Sequence, residues 1–151
     1  MVTQNSLFIN RRFHCTASVL FDYLTQPRLI ATWFGPKHVR VGNVQTDVRI
    51  GGAYSIELID VKDRNFLIRG EYTEIEFPNK LTFSLEYQKV SYPPPKSMVK
   101  IRLEELTPDH TMLILTQEFE IAPPDMENRN ESWEHMFSKL DKLLRAITYK
   151  S

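Results

Sequence analysis

The feature that most limits the fold is the region between residues 38 and 120, where apolar and polar residues alternate in short runs. Short stretches rich in Gly, Pro, Asn and Asp separate six such runs. This pattern predicts consecutive antiparallel strands joined by tight loops. With a run near the N-terminus, the predicted strands are seven: 6–13, 38–46, 53–59, 66–77, 80–90, 98–106 and 110–121.

The sequence period changes after the Pro-Pro pair at 123–124. Apolar residues then recur at spacings of three and four, which predicts one amphipathic helix over about residues 125–148. Its apolar stripe comprises Trp133, Met136, Phe137, Leu140, Leu143, Leu144 and Ile147. We expect the opposite face to be solvated, and its polar residues are Glu134, Asp141, Lys142 and Arg145.

Two short helices are predicted between the first and second strands. Thr16 or Ser18 can cap the first helix, because either hydroxyl can accept a hydrogen bond from a free N–H of the first turn. Pro27 suits the first turn of the second helix, over residues 28–34, and a Gly-Pro pair ends that helix.

This order of elements predicts an α+β fold. A seven-stranded antiparallel sheet that curves must cover its concave face, and the C-terminal helix is long and apolar enough to do so. We therefore expect a helix-grip arrangement over residues 1–151 as a single domain. Ligand pockets commonly form in the space between such layers.

The adjacent glycines Gly51 and Gly52 resemble part of a phosphate-binding loop, but such a loop opens a helix. Here Tyr54, Ile56 and Leu58 alternate with polar residues, which indicates a following strand. We predict a turn with backbone conformations at positive φ, so that Gly52→Val would strain the backbone.

Charge and composition limit the classes of partner that the protein can have. Nineteen basic residues balance nineteen acidic ones, which leaves no overall field to attract nucleic acid. No apolar run approaches the roughly twenty residues that span a bilayer, and the N-terminus lacks a signal-peptide core. Cys15 is the single cysteine and fits a reducing compartment. We expect a cytoplasmic protein that neither binds nucleic acid nor inserts into a membrane.

Four motifs resemble a known family. They are ATWFGP at 31–36, DVRIGGAY at 47–54, GEYTEI at 70–75 and LTF at 81–83. They are similar to homologues of the activator of heat-shock-protein-90 ATPase, within the START/SRPBCC superfamily and its birch-pollen-allergen-like helix-grip fold. Ser132 stands before Trp133 where that family often has glycine. The resemblance implies a fold whose members bind lipids, hormones or polyketides, and some of which are cyclases.

No set of residues indicates nucleophilic catalysis or a metal site. The sequence has no Gly-x-Ser-x-Gly elbow and no Cys-His-Asn signature. No metal-ligand spacing connects the four histidines, which are His14, His38, His110 and His135. We predict no catalytic residue, no metal and no cofactor. A general acid–base role for Asp47, Arg49 or Glu118 stays open, although an Asp47–Arg49 ion pair at the turn is favoured.

The candidate ligand-binding residues are aromatic and aliphatic side chains expected to face the space between sheet and helix. They are chosen because they lie at inward-facing positions of the alternating strands, on the apolar stripe of the C-terminal helix, or just before the Gly-Pro pair that ends the second short helix. They are Trp33, Phe34, Tyr54, Ile56, Tyr72, Phe83, Leu85, Tyr87, Trp133, Phe137 and Leu140. The alternative is that the rings are ordinary core packing, with each tyrosine hydroxyl bonded to a backbone carbonyl.

Three functions follow from these expectations. The favoured one is a non-enzymatic protein that holds a small hydrophobic or amphipathic molecule, lipid-like or aromatic. The second is a protein-interaction module related to the chaperone activator, with a chaperone or a second copy of the chain as partner. The third is a cyclase- or dehydratase-type enzyme, which needs an ionisable group inside the cavity.

Overall fold

A computed structural model describes residues 5–150 of the protein, with side chains described as far as residue 147. Residues 1–4 and 151, which the predicted domain over 1–151 includes, lie outside the described residues. The elements follow the predicted order: β1 Ser6–Phe13, α1 Ala17–Thr25, α2 Pro27–Trp33, β2 Arg40–Thr46, β3 Ala53–Ile59, β4 Asn65–Glu76, β5 Lys80–Gln88, β6 Ser97–Thr107, β7 His110–Phe119 and α3 Met126–Lys150.

The seven strands form one antiparallel sheet in the order β1-β7-β6-β5-β4-β3-β2. Every pair from β2 to β7 joins neighbours in sequence, as the short loops predicted. β1 pairs with β7, so the first and last strands lie side by side. This arrangement confirms the α+β helix-grip fold with two short helices between β1 and β2.

The two short helices lie where their sequences predict, although α2 begins and ends one residue earlier than the predicted 28–34. Thr16 is the N-cap of α1, and its Oγ1 accepts a hydrogen bond from the Val19 N–H at 3.2 Å. Pro27 is the first residue of α2, where its missing N–H removes no helical hydrogen bond. Trp33 is the last residue of α2, and Phe34 is its C-cap.

Some predicted strands are too long by one or two residues. The second strand begins at Arg40 and not at residue 38, and the fifth ends at Gln88 and not at residue 90. His38 has φ of 67° and Lys89 has φ of 65°, which lie in the left-handed region. A strand cannot include these residues because its backbone needs negative φ.

Helix α3 covers the concave face of the sheet with its apolar stripe. Five stripe residues are no more than 6% exposed, and they are Trp133, Met136, Phe137, Leu140 and Leu144. Leu143 is only partly buried, and Ile147 is 48% exposed, so the predicted stripe is wrong at its C-terminal end. The last turn extends past the sheet layer that buries the rest.

The polar face of α3 is not simply solvated, which corrects the expectation for Asp141. Its side chain is only 15% exposed, and its Oδ2 accepts a hydrogen bond from Arg145 Nε at 2.9 Å. Arg11 on β1 lies 3.9 Å from Asp141 and 3.7 Å from Glu134. Through these ion pairs, part of the polar face of α3 contacts the edge strand β1 and is not exposed to water alone.

The loop between β2 and β3 is a tight turn. Gly51 has φ of 84°, as predicted, and nothing lies within 4 Å of its absent Cβ. Gly52 does not have positive φ, so the predicted reason for its glycine was wrong. A Cβ on Gly52 would lie 2.0 Å from the Asp47 carbonyl oxygen, and close backbone approach therefore requires glycine there.

The same turn is bonded to β4. The Gly51 N–H donates to the Tyr72 carbonyl at 2.8 Å, and the Tyr72 N–H donates to the Gly52 carbonyl at 2.9 Å. The turn thereby fixes the backbone of Tyr72, whose ring packs in the core. A change at Gly52 should therefore reach the interior of the sheet.

Replacing Gly52 with alanine should lower the free energy of unfolding by about 1–3 kcal/mol, because the added methyl group forces the backbone of the turn to shift. Gly51→Asn is the matched control, since asparagine tolerates the left-handed conformation and has open space there. Urea unfolding of both variants measures the difference. A Gly52→Ala variant as stable as the parent protein would contradict the close-approach explanation.

Candidate functional site

A cavity of about 40 Å³ lies between the sheet and α3. Its lining is apolar and aromatic, from α1, α2, four strands and α3: Leu24, Ile30, Trp33, Phe34, Tyr54, Ile56, Ile68, Tyr72, Phe83, Leu85, Ile101 and Trp133. About 10–15 Å³ of such space is enough for one water molecule, so the cavity has the size of a few waters. Its lining offers water few hydrogen-bond partners, since its polar side-chain groups are the hydroxyls of Tyr54 and Tyr72 and the indole N–H groups of Trp33 and Trp133.

Most of the candidate ligand-binding residues meet at this cavity. Eight line it: Trp33, Phe34, Tyr54, Ile56, Tyr72, Phe83, Leu85 and Trp133. Tyr87 lines a neighbouring cavity, described below. Phe137 and Leu140 are fully buried behind the lining residues. The role of all eleven in binding a ligand stays a prediction.

Sequence reasoning missed four residues that line the cavity: Leu24, Ile30, Ile68 and Ile101. Strand parity could have found Ile68, because it shares a face of β4 with Tyr72. Leu24 and Ile30 lie on the two short helices, whose packing direction the sequence does not reveal. Ile101 lies on β6, where inward and outward residues also alternate.

Four aromatic rings close one side of the cavity. Trp33 packs 5.6 Å from Phe34 and 5.8 Å from Phe137, measured between ring centroids. Trp133 packs 5.5 Å from Phe137 and 6.3 Å from Phe34. The Trp33 indole N–H donates to the Tyr23 carbonyl at 2.8 Å, so this buried ring has no unsatisfied donor.

Two tyrosines form the opposite side. The Tyr54 and Tyr72 rings lie 5.6 Å apart, and the Tyr54 hydroxyl donates to the Ser84 carbonyl at 2.7 Å. Gly70 makes room for this contact, because a Cβ there would lie 1.8 Å from the Ser84 oxygen and 2.8 Å from the Tyr54 ring. The register between β4 and β5 shifts just beyond this contact, between Tyr72 and Glu74.

The tyrosines of the cavity keep their protons at neutral pH. Burial raises the pKa of Tyr72 to about 12, with a further contribution from Asp47. Burial, and then the neighbouring Tyr72, raises the pKa of Tyr54 well above its ordinary value. Their hydroxyls can therefore donate hydrogen bonds but cannot act as bases. Within the described residues, no carboxylate lines the cavity.

A second cavity of about 30 Å³ shares Phe34, Ile68, Leu85 and Trp133 with the first. Tyr87 and Arg129 line this second cavity and also a surface groove of about 500 Å³. The groove runs between the β3–β4 loop, the end of β5 and the N-terminal part of α3. The two cavities and the groove thus lie in series from the core to the surface, with shared side chains as the walls between them, and we call this series the path. We call the position of Tyr87 and Arg129 the mouth.

Polar groups are concentrated toward the mouth. Gln117 is buried, with its amide nitrogen donating to Ser97 Oγ at 2.8 Å and its oxygen accepting from the Trp133 indole at 2.8 Å. Arg129 donates from Nη1 to the Tyr87 hydroxyl at 3.1 Å and stands 5.2 Å from the centre of that ring. Arg129 also donates to Asp125 through Nη2 at 3.0 Å and Nε at 3.4 Å.

The other candidate groups lie outside this path. Arg49 Nε bonds Asp47 Oδ2 at 2.8 Å, which confirms the predicted ion pair at the turn. The His14 and His110 rings are in contact, with centroids 4.5 Å apart and planes tilted by 58°, which the sequence did not predict. Within residues 5–147, no three His, Cys, Asp or Glu side chains are placed to hold a metal ion.

Comparison with known proteins agrees with the geometry. The family model described as "Activator of Hsp90 ATPase homolog 1-like protein" matches residues 14–145. The chain belongs to this family. Its fold commonly binds hydrophobic ligands. In the described part of this family member, no helix has the length and apolar character to cross a membrane.

Solved structures resemble this family member along most of its length. A protein from Nitrosomonas europaea is 20% identical with a TM-score of 0.82, over 99% of both chains. A protein from Chromobacterium violaceum is 21% identical with a TM-score of 0.80, over 93% of this chain and 97% of that one. An AHSA1 protein from Silicibacter pomeroyi is 21% identical with a TM-score of 0.77, over 93% and 98%. These identities support the fold alone. Among curated proteins, none matches the chain.

Tyr54→Phe should cost about 1 kcal/mol of unfolding free energy, because the buried Ser84 carbonyl loses its hydrogen-bond donor. Tyr72→Phe is the matched control. It removes a hydroxyl from the neighbouring ring, and that hydroxyl has no hydrogen-bond partner among the described residues. Urea unfolding at neutral pH compares them. Equal stability of the two variants would contradict a structural role for the Tyr54 hydroxyl.

The free energy of unfolding should fall as the pH rises from 10 toward 12. In that range the unfolded chain releases the Tyr72 proton, whereas the folded protein retains it, so the unfolded state is favoured. Tyr72→Phe should make the slope shallower by up to about 1.4 kcal/mol per pH unit. Urea unfolding at several alkaline pH values measures the slopes, with the exposed Tyr92→Phe as control. Identical slopes for Tyr72→Phe and the parent protein would refute this assignment.

Proposed function

We propose that the protein binds a small hydrophobic or amphipathic molecule between the sheet and α3, without catalysing a reaction. The observation that carries the proposal is the path from the apolar cavity through the second cavity to the surface groove. Binding sites for small molecules are typically apolar clefts with a few placed polar groups. The apolar interior and the polar mouth of this path match that description.

The cavity must widen when a ligand of this kind binds. Ligand sites usually measure about 300–1,000 Å³, whereas the inner cavities measure about 40 and 30 Å³. The segment after α2 is the element we expect to move. Gly35 is held to α3 by its N–H, which lies 3.3 Å from Met136 Sδ, and by its carbonyl, which accepts from Lys139 Nζ at 2.8 Å. Releasing these two contacts frees Phe34, which lines both cavities.

A binding role is supported by the chemistry of the lining. No described carboxylate faces the cavity, and its tyrosines, which stay protonated at neutral pH, offer a proton donor but no base. A cyclase or dehydratase that removes one proton and returns another needs a base as well as an acid within reach of the reacting atoms. The lining is suited instead to hold an apolar body by contact area and to orient it by hydrogen bonds. We place this binding activity in the cytoplasm.

The competing role is a contact with the chaperone that the family description names, or with a second copy of the chain. Mixing the purified protein with the chaperone and measuring complex formation and ATPase rate tests the first contact. Sedimentation of the protein alone tests the second. Stimulated ATPase activity together with no bound apolar molecule would favour this role over ligand binding.

Thermal shift with octanol, decanol and dodecanol, each below its solubility limit in water, tests the binding proposal. At about a hundred times the Kd, binding adds about 2.7 kcal/mol to stability, which raises the Tm by roughly 5–10 °C for a domain of this size. Ile68→Phe should abolish the shift, because Ile68 lines both inner cavities and a larger ring fills them.

The matched control is Leu103→Phe, an equally overpacked core position that lines neither inner cavity. Both variants should lose up to about 1–3 kcal/mol of stability from overpacking, and only Leu103→Phe should keep the alcohol-dependent shift. No shift in the parent protein with any alcohol would overturn the proposal. A shift that persists in Ile68→Phe would place the ligand elsewhere.

A further inference from the structure

The mouth of the path carries an arginine in a partly buried position. Arg129 has a side chain 23% exposed, and it lines both the second cavity and the surface groove. Its aliphatic stem lies on the same helix as Trp133, one turn before that ring. A ligand whose apolar body enters the inner cavities would leave its other end beside the Arg129 guanidinium.

The remaining polar group deep in the path is held by the protein itself. Gln117 donates one N–H to Ser97 and accepts from the Trp133 indole, which fixes the orientation of its amide. Arg129 has five N–H groups, and the described hydrogen bonds use three of them, one on Nε and one on each terminal nitrogen. Two N–H groups of Arg129 are therefore free of described partners and can donate to a ligand.

Tyr87 supplies a further donor beside Arg129. Its hydroxyl oxygen accepts from Arg129 Nη1, which leaves the hydroxyl proton to be donated. Burial raises the pKa of Tyr87, so the hydroxyl keeps that proton at neutral pH. Ser132, one turn after Arg129 on the same face of α3, also lines the second cavity. The mouth thus presents donors to whatever group lies there.

The charges around the mouth favour an anion. Within the groove, Arg64 pairs with Asp60 at 2.8 Å, and Arg129 pairs with Asp125 at 3.0 Å. Lys89 also lines the groove, and none of the ion pairs within the described residues includes it. The groove therefore keeps one uncompensated positive charge.

Resting on the proposed function, we infer that the ligand is a carboxylate-bearing amphiphile that Arg129 and Tyr87 hold by its carboxylate while its apolar body fills the inner cavities. The guanidinium fork matches a planar carboxylate. Asp125 already occupies one edge of that fork in this geometry. Its side chain is 37% exposed, so it can turn toward water when the ligand carboxylate takes its place.

Calorimetric titration tests this assignment, with decanoate and decylamine below their micelle concentrations and decanol below its solubility limit. The parent protein should bind decanoate about tenfold or more tightly than decanol, and decylamine more weakly than either, since a charged hydrogen bond contributes about one to two factors of ten in affinity. Higher salt should weaken decanoate binding and leave decanol binding unchanged.

Arg129→Gln should weaken decanoate binding by about 10- to 100-fold and change decanol binding by less than about threefold. Arg64→Gln is the control, because Arg64 lines the same groove but not the second cavity. Tyr87→Phe keeps the ring and should weaken decanoate binding by about three- to tenfold. This second variant keeps the test decisive if Arg129→Gln folds poorly.

The outcomes separate the two proposals. If decanol binds and decanoate is not preferred, the carboxylate assignment is overturned and the binding function stands. If Arg129→Gln weakens both ligands equally, Arg129 only stabilises the first turn of α3 through Asp125, and the assignment is again wrong. If none of the three ligands binds the parent protein, the proposed function fails and this inference fails with it.

Discussion

The packing of the α3 apolar stripe onto the concave face of the sheet is the constraint on which the rest of the structure depends. A sheet with one apolar face and a helix with one apolar stripe can each bury that surface only against the other. Phe137 and Leu140 are fully buried at this contact. Every other feature of the interior, including the cavity and its aromatic wall, occupies the space that this contact leaves.

The packing is close but not complete at one end. Near Phe137 the sheet and the helix are in contact, with the Phe13 ring of β1 edge-on at 5.8 Å, whereas beside Tyr54 and Tyr72 the small cavity remains between them. The turn at Gly51 and Gly52 holds this end through two hydrogen bonds to Tyr72. A ligand that reaches this cavity from the mouth replaces contacts between side chains, and its affinity is the surplus over the contacts that it displaces.

Membership of the family explains the scaffold and does not by itself specify a ligand. The specific information lies in the few polar groups on the path. Gln117 is locked between Ser97 and Trp133 and serves the core, whereas Arg129 and Tyr87 face the space that a ligand would cross. This division between a satisfied polar group inside and available donors at the mouth is the basis of the proposed selectivity.

The sequence determined the elements and the faces they bury. The alternation through Tyr54, Ile56 and Leu58 and the helical spacing from Trp133 onward are local patterns, and local geometry converts them directly into inward and outward positions. Only the tertiary structure decided the size of the cavity and the contacts across it. Asp141 reaches Arg11, Tyr54 bonds Ser84, and Gly52 is required by a carbonyl five residues away and not by its φ. These outcomes depend on distances between segments far apart in sequence or on the folded path of a turn, which residue periodicity does not encode.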